Sequence, residues 1–319
     1  MDNNNLLIVS VSPHLHKKDS VSLIMWMVVL ALIPAGVGGV IIFGMPALLV
    51  ILLSVVAALV TELVIQLLLK KKITVFDGSA CLTGILLAYN LPPNVPFWIP
   101  VMGAIFSILI GKQVFGGLGQ NIFNPALVGR VFLMASWPKY MTSFSKPFNF
   151  DGVTSATPLM LLKEGLSIDK ISYMDLFLGK RGGCIGEVCI VGLLVGAIFL
   201  LAKGYISWHI PLIYVAVVGV FGFVFGANGF FTGDWLFQIL SGGLILGAFF
   251  MATDYVTSPL TRKGQVVFAV GCGLITVVIR FWGGYPEGVS YAILMMNAAT
   301  PLIDRFTRNR IYGTKLRKS

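Results

Sequence analysis

Two long apolar runs near the start of the chain limit its fold more than any other feature. Ser22–Phe43 and Pro46–Leu69 hold about 22 and about 24 residues. At about 1.5 Å per residue the shorter run reaches roughly 33 Å, enough to cross a bilayer. Hydrocarbon offers the backbone no hydrogen-bond partner, so such runs fold as spanning helices that satisfy their own N–H and C=O groups. Lys70, Lys71 and Lys72 end the second run. The composition agrees: 57% of residues are hydrophobic and 11% charged, against about 25% charged in a soluble domain. Residues 1–21 are polar. The first run is long for a signal peptide and lacks a small-residue cleavage site, so the segment is not expected to be a cleavable signal.

Beyond Ala80 the runs become irregular. Cys81–Leu91 is apolar but short, broken by Pro92, Pro93 and Pro96, and Phe97–Ile110 resumes. A glycine-rich turn, Gly116–Gly119, precedes Asn121, Asn124 and Pro125, and a fifth run covers Ile122–Trp137. Short apolar segments broken by Gly and Pro, with amides inside them, predict discontinuous helices lining a site. Asn124-Pro125-Ala126 invites an aquaporin reading, but that fold pairs two such motifs in six spans. Five further spans follow a long polar loop: Cys184–Lys203, His209–Gly229, Trp235–Ala252, Gln265–Trp282 and Gly288–Leu302. The expected class is an all-α membrane protein of about ten transmembrane helices. Its parts are an N-terminal segment (1–21), a five-helix half (22–137), a loop (138–183), a second five-helix half (184–303) and a basic tail (304–319).

The halves carry landmarks in the same order. Ala88-Tyr89-Asn90 before prolines is echoed by Ala252-Thr253-Asp254 before Thr257-Ser258-Pro259. Gly116-Gly117 is echoed by Gly283-Gly284, and Asn124-Pro125-Ala126 by Asn297–Pro301. Because five is odd, two such halves have opposite orientation, which is the inverted repeat of many transport folds.

Charge sets the expected orientation. With the N-terminus in the cytoplasm, inner loops hold Lys17, Lys18, Lys70, Lys71, Lys72, Lys112, Lys203, Arg262 and Lys263, and the tail is rich in Lys and Arg. The short outer loops hold neither, so both termini are expected inside and the 138–183 loop outside. The net charge of +10 is then loop charge rather than a nucleic-acid surface. The four cysteines form no CxxC pair, and His14, His16 and His209 are too few and scattered for a metal or haem site.

The outer loop contains Asp151-Gly152-Val153-Thr154-Ser155-Ala156-Thr157-Pro158. Small residues among the hydroxyls let a bulky partner approach the backbone. Pro158 suits the first position of a helix over Pro158–Lys163 with Thr157 as N-cap. A helix N-terminus beside hydroxyls favours a phosphate, and Lys163 is expected within a turn or two of it.

This octet resembles the flavin-attachment signature of two related families, the D subunit of the Rnf complex and the B subunit of the sodium-pumping NADH:quinone oxidoreductase. The pattern is met by Asp151, Thr154, Ser155, Ala156 and Thr157, with Ser155 where Gly is frequent. Residues 116–126 and 251–259 also look like segments of these families, so the resemblance covers nearly the whole chain. The short N-terminal segment fits the Rnf member better. The resemblance implies FMN held by a phosphoester on Thr157, attached outside by a flavin transferase. It leaves room for a second, non-covalent flavin such as riboflavin. It implies a fold like that of urea and ammonium channels. It also implies iron–sulfur and flavin subunits as partners, in a bacterial cytoplasmic (inner) membrane complex. That complex moves electrons from ferredoxin to NAD with coupled Na+ or H+ export. The flavin chemistry belongs to the cofactor, and no nucleotide-binding glycine fingerprint is present, so NAD and ferredoxin are expected on other subunits.

Ionisable groups inside spans are costly and are functional candidates by default. They are Glu62, Arg130, Asp254 and Arg280. Glu62 is read as snorkelling toward Lys70. Arg130 and Arg280 suit a flavin ring or phosphate, or an acid partner. Asp254 with Thr253, together with Asn90, Asn124 and Arg130, suits an ion path or a second flavin; for Asp254, capping a half-helix is the plainer role. A passive channel or transporter of similar fold is the reading from a different class.

Overall fold

The computed structural model describes residues 20–145, 147–148, 154–164, 172–226 and 229–308. The first helix, α1 (Val21–Phe43), starts where the Ser20 hydroxyl accepts from the Leu23 N–H at 3.2 Å. It turns into α2 (Met45–Leu68) through Gly44, whose φ of 73° and ψ of −153° suit glycine alone. Then follow α3 (Ser79–Tyr89), α4 (Trp98–Ile108) and α5 (Pro125–Ser136). A π-helical segment, Leu109–Gln113, prolongs α4. The outer-loop region holds α6 (Pro138–Met141), α7 (Pro158–Lys163) and α8 (Tyr173–Leu178). The second half comprises α9 (Ile185–Val188), α10 (Ile190–Lys203), α11 (His209–Val224), α12 (Trp235–Leu240), α13 (Leu244–Leu246), α14 (Arg262–Trp282) and α15 (Val289–Phe306).

Three of these helices, α1, α2 and α14, are long and apolar enough to cross a membrane. Shorter apolar helices fill the interior beside them. Large apolar side chains such as Leu30, Ile33 and Ile41 of α1 and Leu52, Val56 and Val60 of α2 face outward. In water that surface would be an aggregation site; here it meets lipid tails. The protein is a helical membrane protein, as expected. Two small ribbons depart from a purely helical fold: β1 (Phe144–Ser145) pairs antiparallel with β2 (Thr154–Ser155), and β3 (Phe225–Gly226) with β4 (Gly229–Phe230).

Two of the expected continuous spans are broken. Cys184–Lys203 divides at Cys189 into α9 and α10. There α1 approaches so closely that a Cβ on Gly38 would overlap the Cys189 side chain. Trp235–Ala252 divides into α12, α13 and a second π-helical segment, Gly247–Met251. The break falls at Ser241-Gly242-Gly243, with Gly242 at φ 69°. The run beginning at His209 stops at Val224, where the β3–β4 turn starts.

Apolar side chains gain little by leaving lipid for a protein interior, so close backbone packing carries helix association in membranes. Gly192 and Gly196, four residues apart on α10, lie against the Pro34–Ala35 and Ala31 backbone of α1. A methyl at Gly196 would strike the Ala31 carbonyl, an overpacking that costs about 1–3 kcal/mol. Elsewhere α2 packs on α3 and α4 as α11 packs on α12 and α14, and α4 packs on α5 as α14 packs on α15.

Candidate functional site

The interior joins the halves through amides. Asn124 caps α5, its side chain accepting from the Ala126 N–H at 3.1 Å, while its amide donates to the Met251 carbonyl at 3.3 Å. Asn90, at the end of α3, donates to the Leu86 carbonyl at 2.6 Å and to the Met251 sulfur at 3.7 Å. Its oxygen accepts from Arg130. In the amide orientation its neighbours require, Asn297 donates to the Thr257 and Ile293 carbonyls and accepts from the Asn124 N–H. The broken ends of α3 and of the second π-helical segment thus find partners on α5 and α15, which is how polar backbone survives inside a membrane protein.

From this junction two polar regions extend to opposite ends. Helix α14 shows the separation: it runs from Thr261, bonded to Thr307 at the end of α15, to Arg280. Its 21 residues cover about 31 Å.

At the Thr261 end Glu62 does not snorkel toward Lys70. It is buried and paired with Lys112, whose ammonium lies 2.7 and 2.9 Å from its two oxygens. Lys112, expected in an inner loop, is buried on the first π-helical segment. Its third bond goes to the Ser79 hydroxyl at 2.6 Å, and Gln66 and Gln113 each donate to Glu62 at 3.1 Å. Beside this network lies a narrow cavity of about 80 Å³, lined by Ser79, Lys112, Asn121, Asn124, Thr253 and Asp254 among apolar residues. It shares Met25, Leu118, Tyr255 and Val256 with a wider cavity of about 840 Å³ that also touches Lys71, Lys72, Asp77 and Gly116. Asp254 accepts from the Val256 N–H at 3.4 Å and the Thr257 hydroxyl at 3.2 Å. Thr253 is committed to the Phe249 carbonyl at 2.7 Å.

At the Arg280 end three buried guanidiniums meet two acids. Arg130 donates to Glu287 at 2.5 Å. Arg280 donates to the Gln238 carbonyl at 2.6 Å and the Ser241 carbonyl at 3.1 Å, and Arg181 to the Glu187 carbonyl at 3.0 Å. Glu187 accepts from the Cys184 N–H at 2.5 Å. Burial of Glu287 works against its charge, but Arg130 prevails and holds its carboxyl below the usual range. Sequence reading missed Glu187, Glu287 and Arg181 as a group, because they lie far apart in the chain.

Thr157 stands at this same end. It caps α7 as the sequence predicts, its hydroxyl accepting from the Met160 N–H at 3.3 Å, and it is buried while Ala156 is exposed. With six residues, α7 is too short for a large dipole. Lys163, expected near a phosphate, instead donates to the carbonyls of Gly283 and Tyr285. Asp151 lies outside the described residues, as do the N-terminal segment up to residue 19 and the tail from 309; of Thr154 and Ser155 only the backbone is described. The structure therefore gathers Asn90, Asn124 and Arg130 around the junction, sets Thr253 and Asp254 on the cavity, and keeps Thr157 apart at the other end.

Broken helices meeting in the interior, with buried ionic groups at both ends, define a membrane-embedded helical protein of the transport type. The chain belongs to the NQR2, RnfD, RnfE family, whose model matches residues 8–313. It is 53% identical over 315 residues to the D subunit of the Na(+)-translocating ferredoxin:NAD(+) oxidoreductase complex of Acetobacterium woodii, covering 98% of this chain and 97% of that one. It is 49% identical over 322 residues to the proton-translocating counterpart of Clostridium ljungdahlii, with the same coverage. The D subunit of an ion-translocating oxidoreductase complex of Stutzerimonas stutzeri is 40% identical over 335 residues, 94% of each chain. The resemblance to the Rnf subunit read from residues 116–126, 151–158 and 251–259 is borne out.

Proposed function

We propose that this chain is the membrane flavoprotein subunit of an ion-translocating complex that passes electrons between ferredoxin and NAD. It would work with iron–sulfur and flavin subunits in the bacterial inner membrane, with both termini cytoplasmic and residues 138–183 outside. FMN is held by a phosphoester on Thr157, within the motif of Asp151, Thr154, Ser155 and Ala156. The names of the similar subunits support the complex and its reaction. Relatives of nearly equal identity are named for Na+ and for protons, so the features shared with both fit export of either ion.

The observation that carries the flavin assignment is the fit of Thr157. Its oxygen accepts a backbone N–H, a bond an ester oxygen can also accept, and exposed Ala156 leaves one side open. When bound, FMN supplies the electron transfer; the chain orients it and shields its linkage. A second flavin such as riboflavin suits the other end. The narrow cavity holds only a few waters or an ion, by volume. The wider cavity has room for a flat ring, with Asn121, Asn124, Thr253 and Asp254 near its inner edge. The matched packing of α2–α5 and of α11–α15 supports the inverted-repeat, channel-like architecture.

Denaturing the purified complex in acid tests the linkage. Fluorescence should migrate with this chain, vanish in Thr157→Ala and survive in Thr154→Ala. Covalent flavin on Thr157→Ala made with the transferase present would refute the assignment.

A further inference from the structure

The Arg280 end contains a contact that two ionised acids cannot make. The carboxyls of Glu187 and Glu287 hydrogen-bond each other. Each keeps one oxygen, Oε2 of Glu187 and Oε1 of Glu287, without any other partner among the described residues. The remaining oxygens are engaged, by the Cys184 N–H and by Arg130. Carboxylates only accept, so a bond between two of them requires one proton.

The surroundings suit a proton rather than a metal ion. Arg130 approaches from α5, Arg181 and Cys184 from the segment before α9, and Arg280 from α14. Tyr291 reaches Arg130 from α15. Three guanidiniums against two carboxyls repel a further cation, yet they also stabilise the pair when its proton has left. The segment bearing Thr157 reaches the same spot. A Cβ on Gly242 would lie 2.8 Å from Leu159, 3.2 Å from Oε1 of Glu287 and 3.3 Å from Arg280. Lys163 of α7 holds the loop that carries Glu287, through the Gly283 and Tyr285 carbonyls.

We propose that Glu187 and Glu287 form a proton-donating site for the flavin of Thr157. This rests on the flavin reading above. One proton bridges the two carboxyls in the oxidised protein. When an electron from the complex arrives, that proton leaves the pair for the flavin and both carboxylates remain, compensated by Arg130, Arg181 and Arg280. On reoxidation the proton returns to the pair. One electron and one proton move together, and no other reactant is needed.

Infrared spectroscopy of the whole complex tests this. Oxidised wild type should show a protonated-carboxyl C=O band that shifts in heavy water and on labelling with carbon-13 glutamate. Glu187→Gln should remove it, as should Glu287→Gln if the first variant assembles poorly. Reduction should diminish the band in wild type. In Thr157→Ala the band should remain but no longer respond to reduction. Absence of a glutamate-derived band in wild type would overturn the proposal, and so would its persistence in both variants. A band insensitive to reduction, in a complex whose Thr157 peptide carries FMN by mass, would overturn the donor role while leaving the flavin assignment intact. Lack of FMN on that peptide would instead refute the flavin reading.

Discussion

At the Lys112 end every donor has an acceptor. Lys112 spends its three N–H bonds on Glu62 and Ser79, and Glu62 receives Gln66 and Gln113 as well. At the Arg280 end, Nε of Arg130 and Arg280, Nε and Nη1 of Arg181, and one oxygen on each of Glu187 and Glu287 find no ordinary partner. Both groups are buried and both are ionic. A fully satisfied network rigidifies a core, whereas unsatisfied polar groups are kept at a cost. The difference separates a group that holds the helices together from one that is set for chemistry. Charge alone, which is all the sequence displays, does not draw that line.

Removing Lys112 should produce the largest effect. Lys112→Met leaves Glu62 charged and unpaired, which costs about 3–5 kcal/mol, read as a lower unfolding temperature in detergent. Glu62→Gln combined with Lys112→Met should recover most of that stability and retain electron transfer. A double variant that is stable but inactive would break the comparison, because the pair would then be functional.

Arg130→Met should cost less, about 1.5–3 kcal/mol for the lost charged hydrogen bond, since Arg181 and Arg280 remain near Glu287. Its signature should be functional: adding Glu287→Gln should restore stability without restoring electron transfer.

Asp254→Asn should change stability by less than about 1 kcal/mol, because an amide oxygen can still accept from the Val256 N–H or the Thr257 hydroxyl. The chain should keep its flavin, yet ion export coupled to electron transfer should fall. Wild-type coupling in that variant would remove Asp254 from the mechanism.

An exposed contact sharpens the same point at the smallest scale. Tyr173 donates to Asp234 at 2.5 Å. That bond to the carboxylate raises the phenol above its ordinary value. A group whose folded value is raised contributes fully below its unfolded value and loses that contribution as pH climbs through the folded one. Tyr173→Phe should therefore shift stability by no more than about 0.5 kcal/mol at neutral pH, with the difference disappearing in strong alkali.

The chain's apolar runs mark the long helices well. The reading of Ser22–Phe43 differs from α1 by a residue at the start, and Pro158–Lys163 with a Thr157 cap is α7 itself. Local rules suffice there, since apolar length, an N-cap and a proline act over a few residues. They fail at Cys189 and in the π-helical segments, where the backbone answers to close packing against another helix rather than to its own propensities. They fail too for Lys112, whose place after a short apolar run looked like a loop. Its acid partner lies 50 residues earlier, and the partner of Arg130 lies 157 residues later. No periodicity links such pairs. The paired acids Glu187 and Glu287 were hidden for the same reason.

The central claim concerns one oxygen atom, and mass spectrometry of proteolytic peptides from the purified complex addresses it directly. The account predicts that the peptide containing Thr157 carries the mass of FMN less one water, with fragmentation placing it on Thr157 rather than Thr154. An unmodified Thr157 peptide from fully active complex would contradict it.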